Sequence, residues 1–141
     1  MNHSKESCVF CRIISNELPS YKVYEDKNCV AFLDIKPVNP GHLLVVSKEH
    51  YETITDMPKT VLKEISGVIQ DLARKVETKL DPDGIKIVQN NGAQAGQEVL
   101  HFHVHLIPRY EGDEVNYLEE WTTQELSTAE MNRLAGLLKK K

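Results

Sequence analysis

The chain has 141 residues, 40% of them hydrophobic, which suffices for one domain with its own core and is too short for two comfortable ones. Its formal net charge of -4 and sequence pI near 5.9 argue against a surface built to coat a nucleic-acid backbone. No apolar run approaches the ~20 residues that span a bilayer, and the polar start, Met1 to Glu6, lacks the apolar stretch of a signal peptide, so the expected compartment is the cytoplasm, without membrane or nucleic-acid partners.

In chain order, Phe10, Ile13 and Ile14 at helical spacing predict a short helix over Cys8 to Ser15, closed by Asn16 and Pro19. Tyr21 to Glu25 and Cys29 to Ile35 read as two strands of a hairpin, joined by the turn-forming Asp26-Lys27-Asn28. Pro37, Pro40 and Gly41 break the chain before a third strand, His42 to Val46. From Pro58 to Leu80, Val61, Leu62, Ile65, Val68, Ile69, Leu72, Ala73, Val76 and Leu80 recur at three- and four-residue steps and mark one apolar face of a long helix. Pro58 suits its first turn, and Asp81-Pro82-Asp83-Gly84 stops it. Ile85 to Gln89 and Val99 to Ile107 read as strands four and five. Ser127 and Glu130 offer a capping box for a last helix through Met131, Leu134, Ala135 and Leu138, with Lys139 to Lys141 favourable at its negative end. The expected architecture is α+β: a five-stranded, mainly antiparallel sheet, the long helix packed across it, and short terminal helices.

Within the fifth strand, His101-Phe102-His103-Val104-His105-Leu106-Ile107 alternates histidine with apolar residues. Strand periodicity puts the three imidazoles on one surface and Phe102, Val104 and Leu106 in a core. Protonating one imidazole opposes protonating its neighbour, so three in register serve poorly as packing. A His-x-His metal site and a nucleophile flanked by supporting imidazoles both remain open. Cys8 and Cys11 form a Cys-x-x-Cys pair, in a reducing cytosol more often a metal knuckle or redox pair than a structural disulfide. Cys29, in an apolar run, reads as a small buried hydrophobe. The loop Asn90 to Glu98, with Gly92 and Gly96, runs straight into the histidine strand. It is either a polar hairpin loop or a segment whose backbone approaches an anion.

Asn90, Gly96-Gln97 and His101-x-His103-x-His105 followed by apolar residues resemble the histidine triad superfamily. Phe32-Leu33-Asp34-Ile35, Pro40-Gly41-His42 and Ser47-Lys48-Glu49-His50 are similar to segments of its Hint branch of purine-nucleoside phosphoramidases, and Pro108-Arg109 looks like bacterial members. The matches run from Cys8 to Arg109. The resemblance implies one histidine triad domain over 1–141, with a core at about 8–109 and a C-terminal tail and helix over 110–141.

The resemblance further implies hydrolysis at the α-phosphate of a purine nucleotide or nucleotidyl amide through a nucleotidyl-histidine intermediate, with no organic cofactor. It assigns His103 as nucleophile, His105 as phosphate contact and His42 as its hydrogen-bonded support. Asn90 and the Gly96-Gln97 backbone become the phosphate clamp and Asp34 the ribose acceptor. Val9, Phe10, Ile13, Phe32, Leu33 and Ile35 would line the base pocket. Glu98 stands where eukaryotic members carry a small hydroxyl residue, near the leaving group, and a donor role toward a departing amine is one expectation for it. Cys8, Cys11, His50 and His101 map onto a structural zinc site found in several such proteins. A homodimer is also implied, with the tail from Glu111 to Trp121, including Tyr117, approaching the partner's site. The alternatives are a dinucleoside polyphosphate hydrolase or nucleotidyltransferase of the same superfamily, a metalloprotein binding metal through all three strand histidines, and a non-catalytic nucleotide- or zinc-binding protein.

Overall fold

Two runs of β-branched and apolar residues, Cys29–Leu33 (β2) and Leu43–Ser47 (β3), are buried at every position because both faces of the sheet are covered where they lie. They belong to a five-stranded sheet in the computed structural model, which describes residues 7–113 and 123–139. The order is β1-β2-β3-β5-β4, with Lys22–Glu25 as β1, Gly84–Val88 as β4 and His103–Arg109 as β5; every neighbouring pair is antiparallel.

Alternation divides the strand residues between two cores. Cys29, Ala31, Leu33, Leu43, Val45, Phe102, Val104 and Leu106 face Ile65, Val68, Leu72 and Val76 of the long helix Lys59–Leu80 (α2), and Met131, Leu134, Ala135 and Leu138 of Thr128–Lys139 (α3). On the other face Val30, Phe32, Leu44 and Val46 pack against Cys8, Phe10 and Ile13, contributed by the short helix Val9–Ile14 (α1) and its cap. Each fully buried aliphatic side chain contributes roughly 1.5–3 kcal/mol. The sheet is thereby a rigid plate with α1 pinned to the same face as the histidines. Cys29 is fully buried, and burial raises its thiol pKa to about 12, as befits a small core residue.

The element boundaries differ from expectation in instructive ways. Strand β5 starts at His103 rather than Val99, because His101 N–H donates to Val99 O (2.9 Å) and Phe102 N–H to the Tyr51 carbonyl, turning that segment out of the ladder. It runs on through Pro108, tolerated because pairing with β3 ends at Leu106. Pro58 occupies the N-cap of α2 instead of its first turn, and Asp81 ends the helix in the left-handed conformation (φ 49). Ser127 Oγ accepts the Glu130 N–H (3.1 Å), but the Glu130 carboxylate pairs with Arg133 (2.7 and 3.0 Å), so the reciprocal half of the expected capping box is replaced by an i,i+3 ion pair. Among the described residues no helix is long and apolar enough to cross a membrane. Tyr117, Trp121, Lys140 and Lys141 lie outside the described residues.

Candidate active site and metal centre

Helix α1 is too short to be stable alone, and its start is fixed by sulfur. Cys8 Sγ accepts the Cys11 N–H (3.4 Å), and the i,i+3 spacing puts both sulfurs on one side of the turn. There Cys8 Sγ lies 3.2 Å from His101 Nδ1, and Cys11 Sγ lies 3.3 Å from His50 Nδ1 and 3.5 Å from His101 Nδ1. One ligand atom from each of the four residues falls within 4.8 Å of all the others. Bond lengths of ~2.3 Å to sulfur and ~2.0 Å to nitrogen give an S–N edge of about 3.5 Å in a tetrahedral zinc shell, so these separations fit such a shell. The far side of His101 is equally specific: Nε2–H donates to the Ser47 carbonyl (2.6 Å), which leaves the Nδ1 lone pair directed at the sulfurs.

The next histidine uses the backbone of the first. His103 Nδ1 is 2.7 Å from His101 O; a carbonyl only accepts, so Nδ1 carries the proton and Nε2 keeps its lone pair. The ring is held edge-on against Phe10 (centroids 5.1 Å, interplanar angle 77°) and His105 (5.1 Å, 72°). Burial lowers the His103 pKa below the usual histidine value, partly opposed by its bond to His101 and by the Glu98 carboxylate, so the imidazole is neutral at pH 7.

His42 and His105 form a directed relay. Val38 N–H donates to His42 Nδ1 (3.0 Å), forcing the His42 proton onto Nε2, which then donates to His105 Nδ1 (3.0 Å). Neutral His105 consequently carries its own proton on Nε2. Burial lowers His42 to about 3 and His105 to about 4, with a further lowering of His42 by His105 and of His105 by His103. Asp34, His42 and His105 also bring three ligand atoms within 4.8 Å. The Val38 N–H occupies the His42 Nδ1 lone pair and so leaves the ring's own proton on Nε2, the nitrogen a cation there would need, which favours a hydrogen-bonded relay over a metal centre. Asp34 Oδ2 is 3.6 Å from His42 Nε2, while Oδ1 accepts the Lys36 N–H (2.9 Å); burial and the Glu98 charge raise its pKa.

The glycine loop corrects one expectation. Gly96 N–H donates to Ala93 O (3.0 Å) and Gln97 N–H to Gly92 O (3.1 Å), within a tight 3-10 turn over Ala93–Ala95 that Gly96 closes at φ 96. Their amides are therefore spent inside the turn instead of offered to phosphate. The Gln97 side chain is a brace, accepting from Gly92 N–H (2.6 Å) and donating to Glu52 O (2.6 Å) and Val99 O (3.0 Å). Asn90 Nδ2 lies 3.4 Å from Gly96 O at the loop mouth, and Glu98 is exposed beside it.

The apolar set also separates. Phe10, Ile13 and Phe32 line the histidine face from below, Phe10 meeting Phe32 edge-on at 5.7 Å, with Val9 and the 70% exposed Ile35 at the surface. Leu33, expected with them, points to the opposite face among the α2 contacts, because one residue along a strand reverses the side. What sequence reading missed is backbone chemistry: the Val38 amide, the His101 and Ser47 carbonyls, and the buried Asn39 beside them. The Pro-rich turn before His42 was the one available signal.

The HIT domain model matches residues 15–112. A HIT-like protein of Methanocaldococcus jannaschii is 53% identical over 108 residues, covering 75% of this chain and 81% of that one. The adenosine 5'-monophosphoramidase HNT1 of Saccharomyces cerevisiae is 36% identical over 128 residues, covering 91% and 78%. Among solved structures, a Zn-bound histidine triad family protein from Mycobacterium smegmatis superposes with a TM-score of 0.84 at 34% identity, covering 96% of this chain and 93% of that one.

Proposed function

The chain belongs to the HIT domain family, whose members act on nucleotides, and on that premise we propose that it hydrolyses purine nucleotidyl amides at the α-phosphate through a nucleotidyl-His103 intermediate. The observation that carries this reading is the 2.7 Å bond from His103 Nδ1–H to the His101 carbonyl, which leaves Nε2 as a neutral nucleophile. As Nε2 bonds phosphorus the ring becomes cationic, and the carbonyl oxygen aimed at Nδ1–H stabilises that charge. The P–N bond to the leaving amine breaks, and the amine departs with a proton. Glu98, exposed on the loop that leads into the histidine strand, is the proposed source of that proton in its protonated form, and it leaves the step as a carboxylate. His105 Nε2–H donates to a phosphoryl oxygen, held in that tautomer by His42. Water then attacks phosphorus and gives a proton to the Glu98 carboxylate, the bond between phosphorus and His103 Nε2 breaks so that His103 leaves as neutral imidazole, and a nucleoside monophosphate is released. Asp34 accepts from the ribose hydroxyls, Asn90 contacts the phosphate, and the base lies against Phe10, Phe32 and Ile35.

Cys8, Cys11, His50 and His101 would hold a structural Zn²⁺, with all four positions filled by protein and none left for water. Its chemistry is cross-linking: it ties α1 to the residue whose carbonyl orients His103. A homodimer completes the reading. Edge strand β4, last in the sheet and carrying Ile87 at 51% exposure, supports pairing with a second copy; sedimentation as a monomer at micromolar concentration would remove that part.

The test is turnover of adenosine 5'-phosphoramidate, diadenosine polyphosphates and a nucleotide sugar by wild type and His103→Ala. Preference for the amide, abolished in the variant, is expected. Preference for the polyphosphates, or transfer to a sugar phosphate, would move the chain to another activity of the family.

A further inference from the structure

The relay between His42 and His105 depends on one peptide group, and that group is gripped from the C-terminal part of the chain. The Pro37–Val38 peptide presents its N–H to His42 Nδ1 (3.0 Å), while its carbonyl, Pro37 O, accepts the Gln124 N–H (2.7 Å). Gln124 holds the next peptide too, its Nε2 donating to Val38 O (3.0 Å) and to Asn39 Oδ1 (3.0 Å).

Asn39, only 6% exposed, carries the grip across to the histidine strand. Its Nδ2 donates to Pro108 O (2.8 Å) on β5 and to Asp113 Oδ2 (2.7 Å), and its backbone carbonyl accepts the His42 N–H (3.1 Å). Asp113 is fixed by a two-bond pair with Arg109 (2.9 and 3.0 Å) and by the Tyr110 N–H (3.0 Å), which hold its carboxylate ionised well below the usual range. A buried amide whose two protons and oxygen are all committed defines orientation sharply.

We propose that Asn39 and Gln124 are positioning residues for catalysis: they lock the Pro37–Val38 peptide in the orientation that protonates His42 on Nε2 and so keeps the His105 proton on the nitrogen that meets phosphate. This rests on the hydrolase reading for its consequence in turnover, but not for its consequence in tautomer. A peptide rotated to present its carbonyl would draw the His42 proton to Nδ1, remove the donor to His105 Nδ1 and reverse the relay. Both residues act through the Pro37–Val38 peptide and His42.

The experiment uses the full-length zinc-loaded protein and the near-isosteric variant Gln124→Glu, which removes both Nε2–H donors, with Gln124→Ala as the alternative if the first does not fold. Two quantities are read on each sample: kcat and KM with adenosine 5'-phosphoramidate, and the ¹⁵N ring shifts of His42 and His105, which report which nitrogen is protonated. The expected result is a kcat lowered about tenfold, a part of what general acid–base groups contribute, with KM within about twofold, and a His42 Nδ1 resonance moved toward the protonated value. Wild-type kcat together with an unchanged His42 tautomer overturns the proposal, whatever happens to thermal stability. A wild type inactive on every nucleotidyl derivative would refute the hydrolase reading alone, since the ring shifts would still decide the positioning role.

Discussion

Acidification should unfold this protein through His42 and His105, and by a calculable amount. In the unfolded chain each imidazole takes up a proton near pH ~6.5; in the fold burial lowers their pKa values to about 3 and about 4, with His105 adding to the shift of His42 and His103 to that of His105. A depressed folded pKa contributes stability that is fully present above the unfolded value and is lost as pH falls from there toward the folded values. At pH 5 the unfolded state is favoured by about 2 kcal/mol for each such group, about 4 kcal/mol for the pair, against about 0.1 kcal/mol for the pair at pH 7.5. The result depends little on the exact folded pKa, because both lie below pH 5. The assay is urea unfolding at pH 7.5 and pH 5 for wild type and His105→Asn, alongside NMR titration of the ring carbons. Acid effects at the cluster of Cys8, Cys11, His50 and His101 are common to both proteins and cancel in the difference. The variant should lose about 2 kcal/mol less than wild type between the two pH values. An equal loss, or either ring titrating near pH 6.5 in the folded protein, would refute the reasoning.

Four further outcomes follow from the structure. Elemental analysis should find one zinc per chain, lowered by Cys8→Ser and unchanged by His103→Ala; metal loss in the latter would favour a centre using all three strand histidines. Chelation should lower the thermal midpoint and broaden the His103 ring resonances, since the metal fixes the residue that orients it. Glu98→Gln should lower turnover of amide substrates, whereas unchanged turnover would eliminate its donor role. Gly41→Ala should cost about 2–5 kcal/mol in urea unfolding, because Gly41 has φ +93 and an added Cβ would collide with Leu80 Cδ1; a loss under about 1 kcal/mol would contradict the packing.

How much of this was legible in the sequence depended on whether the cause was periodic. Alternation sent Phe102, Val104 and Leu106 to one core and the imidazoles to the other face, and the 3.6-residue period found α2. The cysteine pair and its spacing to His50 and His101 carried the metal ligands through the resemblance. Period also exposes the error at Leu33, grouped with Phe32 although adjacent strand residues face opposite ways. The loop failed for a different reason: glycine content reveals freedom to bind an anion but not that the Gly96 and Gln97 amides are already bonded within their own turn. Backbone partners far apart in the chain, such as Gln124 N–H with Pro37 O, leave no local signature, and they decide which nitrogen of His42 carries the proton.

The central claim is that His103 Nε2 forms a covalent bond to phosphorus. Wild type and His103→Ala can be mixed with adenosine 5'-phosphoramidate, quenched in alkali within one turnover, digested and examined by mass spectrometry. The account predicts a peptide containing His103 carrying one adenylyl group in the wild type and no adduct in the variant. An adenylyl group on His105 or Glu98, or full turnover by His103→Ala, would contradict it.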